Sequence, residues 1–128
     1  MRSEGKIFNT DCLLTLRTME AETIDLVVTS PPYDDLRNYG HETKFMFHLI
    51  CNELCRVLKQ GGVIVWIVAD QTKKGSETLT SFKQALFFQS LGLNIHDTMI
   101  YYKSGMPFPE ATRYNPMFEY MFIVSKGK

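Results

Sequence analysis

A chain of 128 residues is one domain at most, large enough for a sizeable core and short for a complete cofactor-dependent enzyme. Its 45% hydrophobic and 22% charged residues exclude disorder and fibrous repeats. Fourteen basic residues balanced by fourteen acidic ones lack the excess of a dedicated nucleic-acid binder, so any grip on phosphates is local or lies on another segment.

Taken in chain order, Lys6 to Asn9 is predicted as a short strand, and Cys12 to Met19 as a helix capped by Thr10 or Asp11. Ile24 to Thr29 is a second strand, apolar on both faces apart from its ends, as a central parallel strand between two helical layers must be. Glu42 to Lys59 repeats apolar residues at helical spacing through Phe45, Leu49 and Leu58, and KQGG stops that helix. His48, Cys51 and Cys55 share one of its faces, which invites a metal reading; the lack of a fourth ligand, with Leu54 and Leu58 alongside, favours core packing. Val63 to Asp70 is the third strand, followed by the polar loop QTKKGSET and an amphipathic helix from about Leu79 to Leu91 that Gly92 stops. Two last strands, near Asp97 to Lys103 and Phe118 to Ser125, flank the loop SGMPFPEATRYNPM. No internal repeat interrupts this order. The odd number of cysteines, three, with no secretory h-region and no apolar run of membrane-spanning length, points to a reducing, cytoplasmic setting.

Strands alternating with helices imply an α/β fold with a mostly parallel sheet under helices and a final antiparallel pair. Ligands in such sheets sit beyond the carboxyl ends of the strands, which places Asp11, the TSPPY turn and Asp70 along one rim. Pro31 and Pro32 lack backbone donors and have fixed φ, so the chain leaves its strand stiffly and with carbonyls exposed. Ser30 adds a hydroxyl acceptor and Tyr33 a flat face. Together they suit a planar molecule carrying an amino group; the plainer alternative is a surface turn with a space-filling tyrosine.

The context favours the first reading, because IDLVVTSPPY resembles the catalytic motif of DNA amino-methyltransferases, which methylate the exocyclic nitrogen of cytosine or adenine with S-adenosylmethionine. GKIFNTDCLLTL, CRVLKQGGVIVWIVAD and the closing YYKSGMPFPEATRYNPMFEYMFIVSKGK are similar to further segments, in the order of the permuted class whose SPPY motif lies near the amino terminus. The resemblance implies an incomplete Rossmann-like class I methyltransferase fold. It makes Ser30, Pro31, Pro32 and Tyr33 catalytic: the serine and the Pro31 carbonyl accept the amino hydrogens, and the tyrosine stacks on a flipped base. Asp11, Thr29 and Asp70 become candidate cofactor contacts, with helix capping as the other reading of Asp11 and plain solvation that of Asp70. Lys103 and Arg113 become candidate phosphate contacts, and Asp34 and Asp35 would face the cofactor's cationic side or move as a lid. The serine before the prolines favours cytosine N4, with adenine N6 open.

The family's Phe-x-Gly-x-Gly cofactor loop and its target-recognition region are absent from this sequence. The chain therefore reads as the catalytic part of a restriction-modification methylase, in which two strands of the other part separate the first strand from the one ending in TSPPY. An edge left open there implies a homo-oligomer or a complementing chain. A non-catalytic domain serving a partner subunit, or a scaffold acting on RNA or a small molecule, is the competing class.

Overall fold

The computed structural model describes residues 4–32, 46–105 and 111–127. Helices α1 (Cys12–Thr18), α2 (Phe47–Val57) and α3 (Thr80–Ser90) alternate with strands β1 (Ile24–Thr29), β2 (Leu58–Val68), β5 (Asn94–Tyr102) and β6 (Phe118–Ser125). A short hairpin of β3 (Thr72–Lys73) and β4 (Ser76–Glu77) lies between β2 and α3.

The main sheet has the order β1-β2-β6-β5. Its β1–β2 pair is parallel, while β2–β6 and β5–β6 are antiparallel. The expected α/β architecture is present, but the described sheet is mixed rather than mostly parallel. One cause is the amino-terminal segment: Lys6 to Asn9 forms no strand, and Ile7 is 98% exposed. A lone four-residue strand has no stability without a neighbour, and Lys6 to Asn9 pairs with none of the described strands.

Two further corrections concern the turn from α2 into β2. The helix ends at Val57, because Leu58 is already extended at φ −70°, ψ 130°, so KQGG belongs to the strand rather than to a helix stop. Two carbonyls at this turn are satisfied from a distance, Lys126 Nζ donating to those of Cys55 and Leu58 at 2.8 Å each. The glycines make the tight reversal possible: Gly61 sits at φ +78°, and a Cβ on Gly62 would fall 2.8 Å from the Leu58 side chain. Residues 42–45, expected in the first turn of α2, lie outside the described residues.

Side chains alternate across β2, and among the described residues the helices close one sheet face. Ile64, Trp66 and Val68 are buried with Val124 and Phe122 of β6 under Ile50, Cys51 and Leu54 of α2, Phe88 of α3 and Leu13 of α1. Trp66 fills the centre, its ring 5.1 Å from that of Phe88 and its Nε1 donating to Gln84 Oε1 at 2.9 Å. That bond lets a polar indole lie in the core without an orphaned donor. The thiol of Cys51 belongs to the same core, where burial pushes its pKa up, and His48 turns its ring edge-on to Phe87 at 4.5 Å.

Candidate functional site

β1 and β2 run parallel and side by side, with Thr29 opposite Trp66, so the residues leaving both strands share one rim. On it stand Ser30, exposed, Pro31, buried, and Pro32, half-buried. A buried first proline anchors the turn against the body of the protein while the serine ahead of it faces outward. Two adjacent prolines fix φ at both positions of this exit. Tyr33, Asp34 and Asp35 lie outside the described residues.

Asp70 stands on this rim and Asp11, with no strand ahead of it, at the start of α1; both have structural tasks. Asp11 caps α1: its Oδ1 accepts from the backbone N–H of Leu13 at 2.8 Å. Asp70, just past β2, reaches across to the start of α3. Its Oδ1 accepts from the Ser81 backbone N–H at 2.7 Å and its Oδ2 from the Ser81 hydroxyl at 2.5 Å. The residue at the N-cap position of α3, Leu79, is left-handed at φ 54° and supplies no side-chain cap, so Asp70 does so from another element. Of the three candidate cofactor contacts, only Thr29 carries no capping bond of this kind.

An open cleft of about 960 Å³ lies beside Asp70, between the β3–β4 hairpin and residues 112–120. Lys103 and Arg113 border it, but both have protein partners: Lys103 pairs with Glu119, and Arg113 donates to the Gly75 carbonyl, tying the loop to the hairpin. Their cations are thus partly committed to holding the cleft wall. The residue that sequence reading missed is Gln71, whose Oε1 is buried without a partner among the described residues while the residue lines the cleft. Nothing local in QTKKGSET distinguishes this glutamine from a solvated one.

The sequence matches the DNA methylase family over residues 24–128. It is 62% identical over 106 residues to the orphan methyltransferase M.BamHII of Bacillus amyloliquefaciens, a match covering 83% of this chain and 40% of that protein. The fold is similar to that of TTHA0409 from Thermus thermophilus, named as a candidate DNA modification methylase, at a TM-score of 0.73 and 23% identity, over 93% of this chain and 52% of that one. It is also similar to PvuII DNA methyltransferase, named as cytosine-N4-specific, at a TM-score of 0.73 and 20% identity, over 96% of this chain and 49% of that one. The chain thus spans about half the length, or less, of the proteins it matches. By its sequence over most of its length, this chain belongs to the DNA methylase family.

Proposed function

We propose that the chain supplies the base-handling half of an S-adenosylmethionine-dependent DNA methyltransferase acting on an exocyclic amino group, cytosine N4 before adenine N6. The observation that carries this reading is the exit of β1, where exposed Ser30 and anchored Pro31 stand at the carboxyl end of a parallel strand, in a chain of the DNA methylase family.

An exocyclic amine is a poor nucleophile because its lone pair is delocalised into the ring. The Ser30 hydroxyl oxygen and the Pro31 carbonyl oxygen accept its two hydrogens. Fixed acceptors on both N–H groups favour a pyramidal nitrogen with a localised lone pair. Stiffness is the chain's contribution, since a turn that yielded to the planar amine would give no such bias. Tyr33 stacks on the base after it leaves the duplex.

A complex of the Thermus protein with S-adenosyl-L-methionine is known, at 22% identity to this chain. When bound, that cofactor would supply the methyl group carried on its sulfonium sulfur, which would leave as a neutral thioether. The described residues fit it in part: Thr29 lies on the rim, Asp11 has one oxygen engaged at Leu13, and both oxygens of Asp70 serve Ser81. We therefore assign Thr29 and Asp11 to the cofactor side and Asp70 to positioning. The larger part of the cofactor pocket comes from the half of the fold that the relatives have in addition. No described helix is long and apolar enough to cross a membrane, and a protein that acts on DNA in this way works in the cytoplasm.

The test is methyl transfer to cytosine-containing DNA by this chain co-expressed with the part of M.BamHII that it does not match. Ser30→Ala is expected to lower turnover about 10²- to 10³-fold, the cost of removing one fixed hydrogen-bonding group from such a site. Mass spectrometry of the digested product distinguishes N4-methylcytosine from N6-methyladenine. Undiminished turnover in Ser30→Ala would overturn the assignment.

A further inference from the structure

The chain is neutral overall, with fourteen basic and fourteen acidic residues, yet cations gather at one turn of the rim. β2 runs out toward that rim beside β1, and the β3–β4 hairpin follows it. The hairpin ladder has two pairs, Thr72 opposite Glu77 and Lys73 opposite Ser76, so Lys74 and Gly75 form the turn. Because β6 runs antiparallel to β2, the segment leading into β6 opens onto the same rim. Arg113 of that segment donates to the Gly75 carbonyl and so brings a guanidinium to a turn that already carries Lys73 and Lys74.

The hairpin adds nothing to the described core, since residues 72–77 are all exposed. A two-stranded ladder is marginal by itself, but this one is pinned at both ends. At its base the Thr78 N–H donates to the Gln71 carbonyl at 2.8 Å and the Gln71 N–H to the Thr78 hydroxyl at 3.2 Å. At its tip stands the bond from Arg113. A small exposed element is thus held rigid without serving the packing of the protein.

The residue at the tip is also the wrong one for the turn. Lys74 has φ 49° and Gly75 φ 81°, the paired positive angles of a type I′ turn, whose first position favours asparagine, aspartate or glycine. A lysine held there is strained, so turn stability does not account for it, whereas its charge would. The nearby acids leave that charge standing. Asp70 is engaged by Ser81 and Glu119 by Lys103, and Glu77 lines the cleft at the base of the ladder rather than the tip.

We infer that the β3–β4 turn, with Lys74 at its tip and Arg113 behind it, is a binding site for the phosphodiester backbone of DNA. A duplex presents one negative charge per about 1.7 Å of its axis, and a pinned turn meets such a line of charge with little loss of freedom. Phosphate contacts fix register and orientation without reading sequence. From the rim that carries Ser30 and Pro31, the turn seats the backbone beside the nucleotide whose base is handled there. Arg113 is a positioning residue, acting on the turn through Gly75.

This rests on reading the rim as the base-handling site, but its test reads ionic binding rather than methyl transfer. The 128-residue chain is titrated into fluorescein-labelled duplex DNA, and anisotropy gives the association constant K over a series of salt concentrations. Each phosphate neutralised contributes about 0.9 to the fall of log K with log salt. Lys74→Asn is expected to reduce that slope by about 0.9 and to weaken binding about eightfold at about 0.1 M salt, one decade below a 1 M reference. The same change creates an Asn-Gly turn, the preferred type I′ pair, so the urea midpoint should be no lower than that of wild type. A merely structural lysine gives the opposite result, a lower midpoint at unchanged slope. Lys59→Gln removes the same charge at the far end of β2 and should leave the slope as it is. The inference is overturned if the wild-type chain does not bind duplex DNA, if Lys74→Asn keeps the wild-type slope, or if Lys59→Gln reduces it equally, which would make the binding a diffuse effect of charge. An unchanged slope in Lys74→Asn together with lost turnover in Ser30→Ala would reject the turn and leave the proposed function standing.

Discussion

Replacing Asp70 separates a structural carboxylate from a cofactor ligand. Both of its oxygens are occupied by Ser81, whose side chain is fully buried. Asp70→Ala removes the cap of α3, a loss of about 1 kcal/mol for a typical N-cap. It also leaves a buried hydroxyl without its acceptor, worth about 1–3 kcal/mol, so the total is about 2–4 kcal/mol. Asp70→Asn keeps an oxygen for the Ser81 N–H and offers an amide N–H to the Ser81 hydroxyl oxygen. What remains lost is the charge at the helix start, about 0.3–1 kcal/mol. Urea unfolding followed by circular dichroism reads both differences as shifts in midpoint at unchanged slope. The reasoning fails if Asp70→Ala lies within about 0.5 kcal/mol of wild type, the ordinary scatter of surface changes, or if Asn costs as much as Ala. A fully stable Asp70→Asn variant whose assembled complex loses cofactor affinity would restore the carboxylate to the cofactor site.

Other substitutions probe how the closed face is held. Gln84→Leu should destabilise the chain by about 1–3 kcal/mol by orphaning the Trp66 indole N–H. Trp66→Phe combined with Gln84→Leu should cost less than the sum of the singles, and strict additivity in a double-mutant cycle would refute the pairing. Arg56 joins α1 to α2, donating to the carbonyls of Leu16 and Met19 at 2.9 Å each while gripping Glu53 at 2.6 Å. Arg56→Ala should selectively raise hydrogen exchange in α1. The hydrogen bond from Arg56 holds the Glu53 carboxyl below its usual 4.5. A depressed folded pKa contributes stability that is present above 4.5 and lost as pH falls through the folded value. Arg56→Gln should therefore move the Glu53 titration up by carbon-detected NMR, and an unmoved midpoint would refute the coupling.

The fold was legible where local pattern and tertiary role coincide. β1 and β6 have the bounds that their apolar runs suggest, and α3 falls within a residue of its predicted ends. Legibility failed where a residue serves something distant. KQGG carries a helix-stop signal, yet its glycines serve a reversal in which the strand starts at once. The β3–β4 hairpin turns on Lys74 at φ 49° and Gly75 at φ 81°, positive angles for which the sequence offers only one glycine among polar residues. Asp70 resembled a solvated loop residue because its partner lies eleven positions on, in another element. At the site, the placement of Ser30 and Pro31 just past the end of β1 follows from the bounds of that strand, which its apolar run gives.

The sequence described β1 as a central strand, apolar on both faces, and the described sheet makes it an edge. Both statements hold if the composition of β1 is set by neighbours that the described residues do not include. Leu26 and Val28 would each contribute about 1.5–3 kcal/mol on full burial, so covering them stabilises the strand that carries the turn. An edge strand frays more readily than a central one, and Ser30 and Pro31 gain their fixed geometry only as far as Thr29 is held. Strand order and catalysis should therefore be coupled through β1. Val28→Gly, which loosens the strand without touching Ser30 or Pro31, is expected to lower turnover in the co-expressed system together with amide protection of β1. Turnover that stays high while protection is lost would show that the turn is rigid by itself.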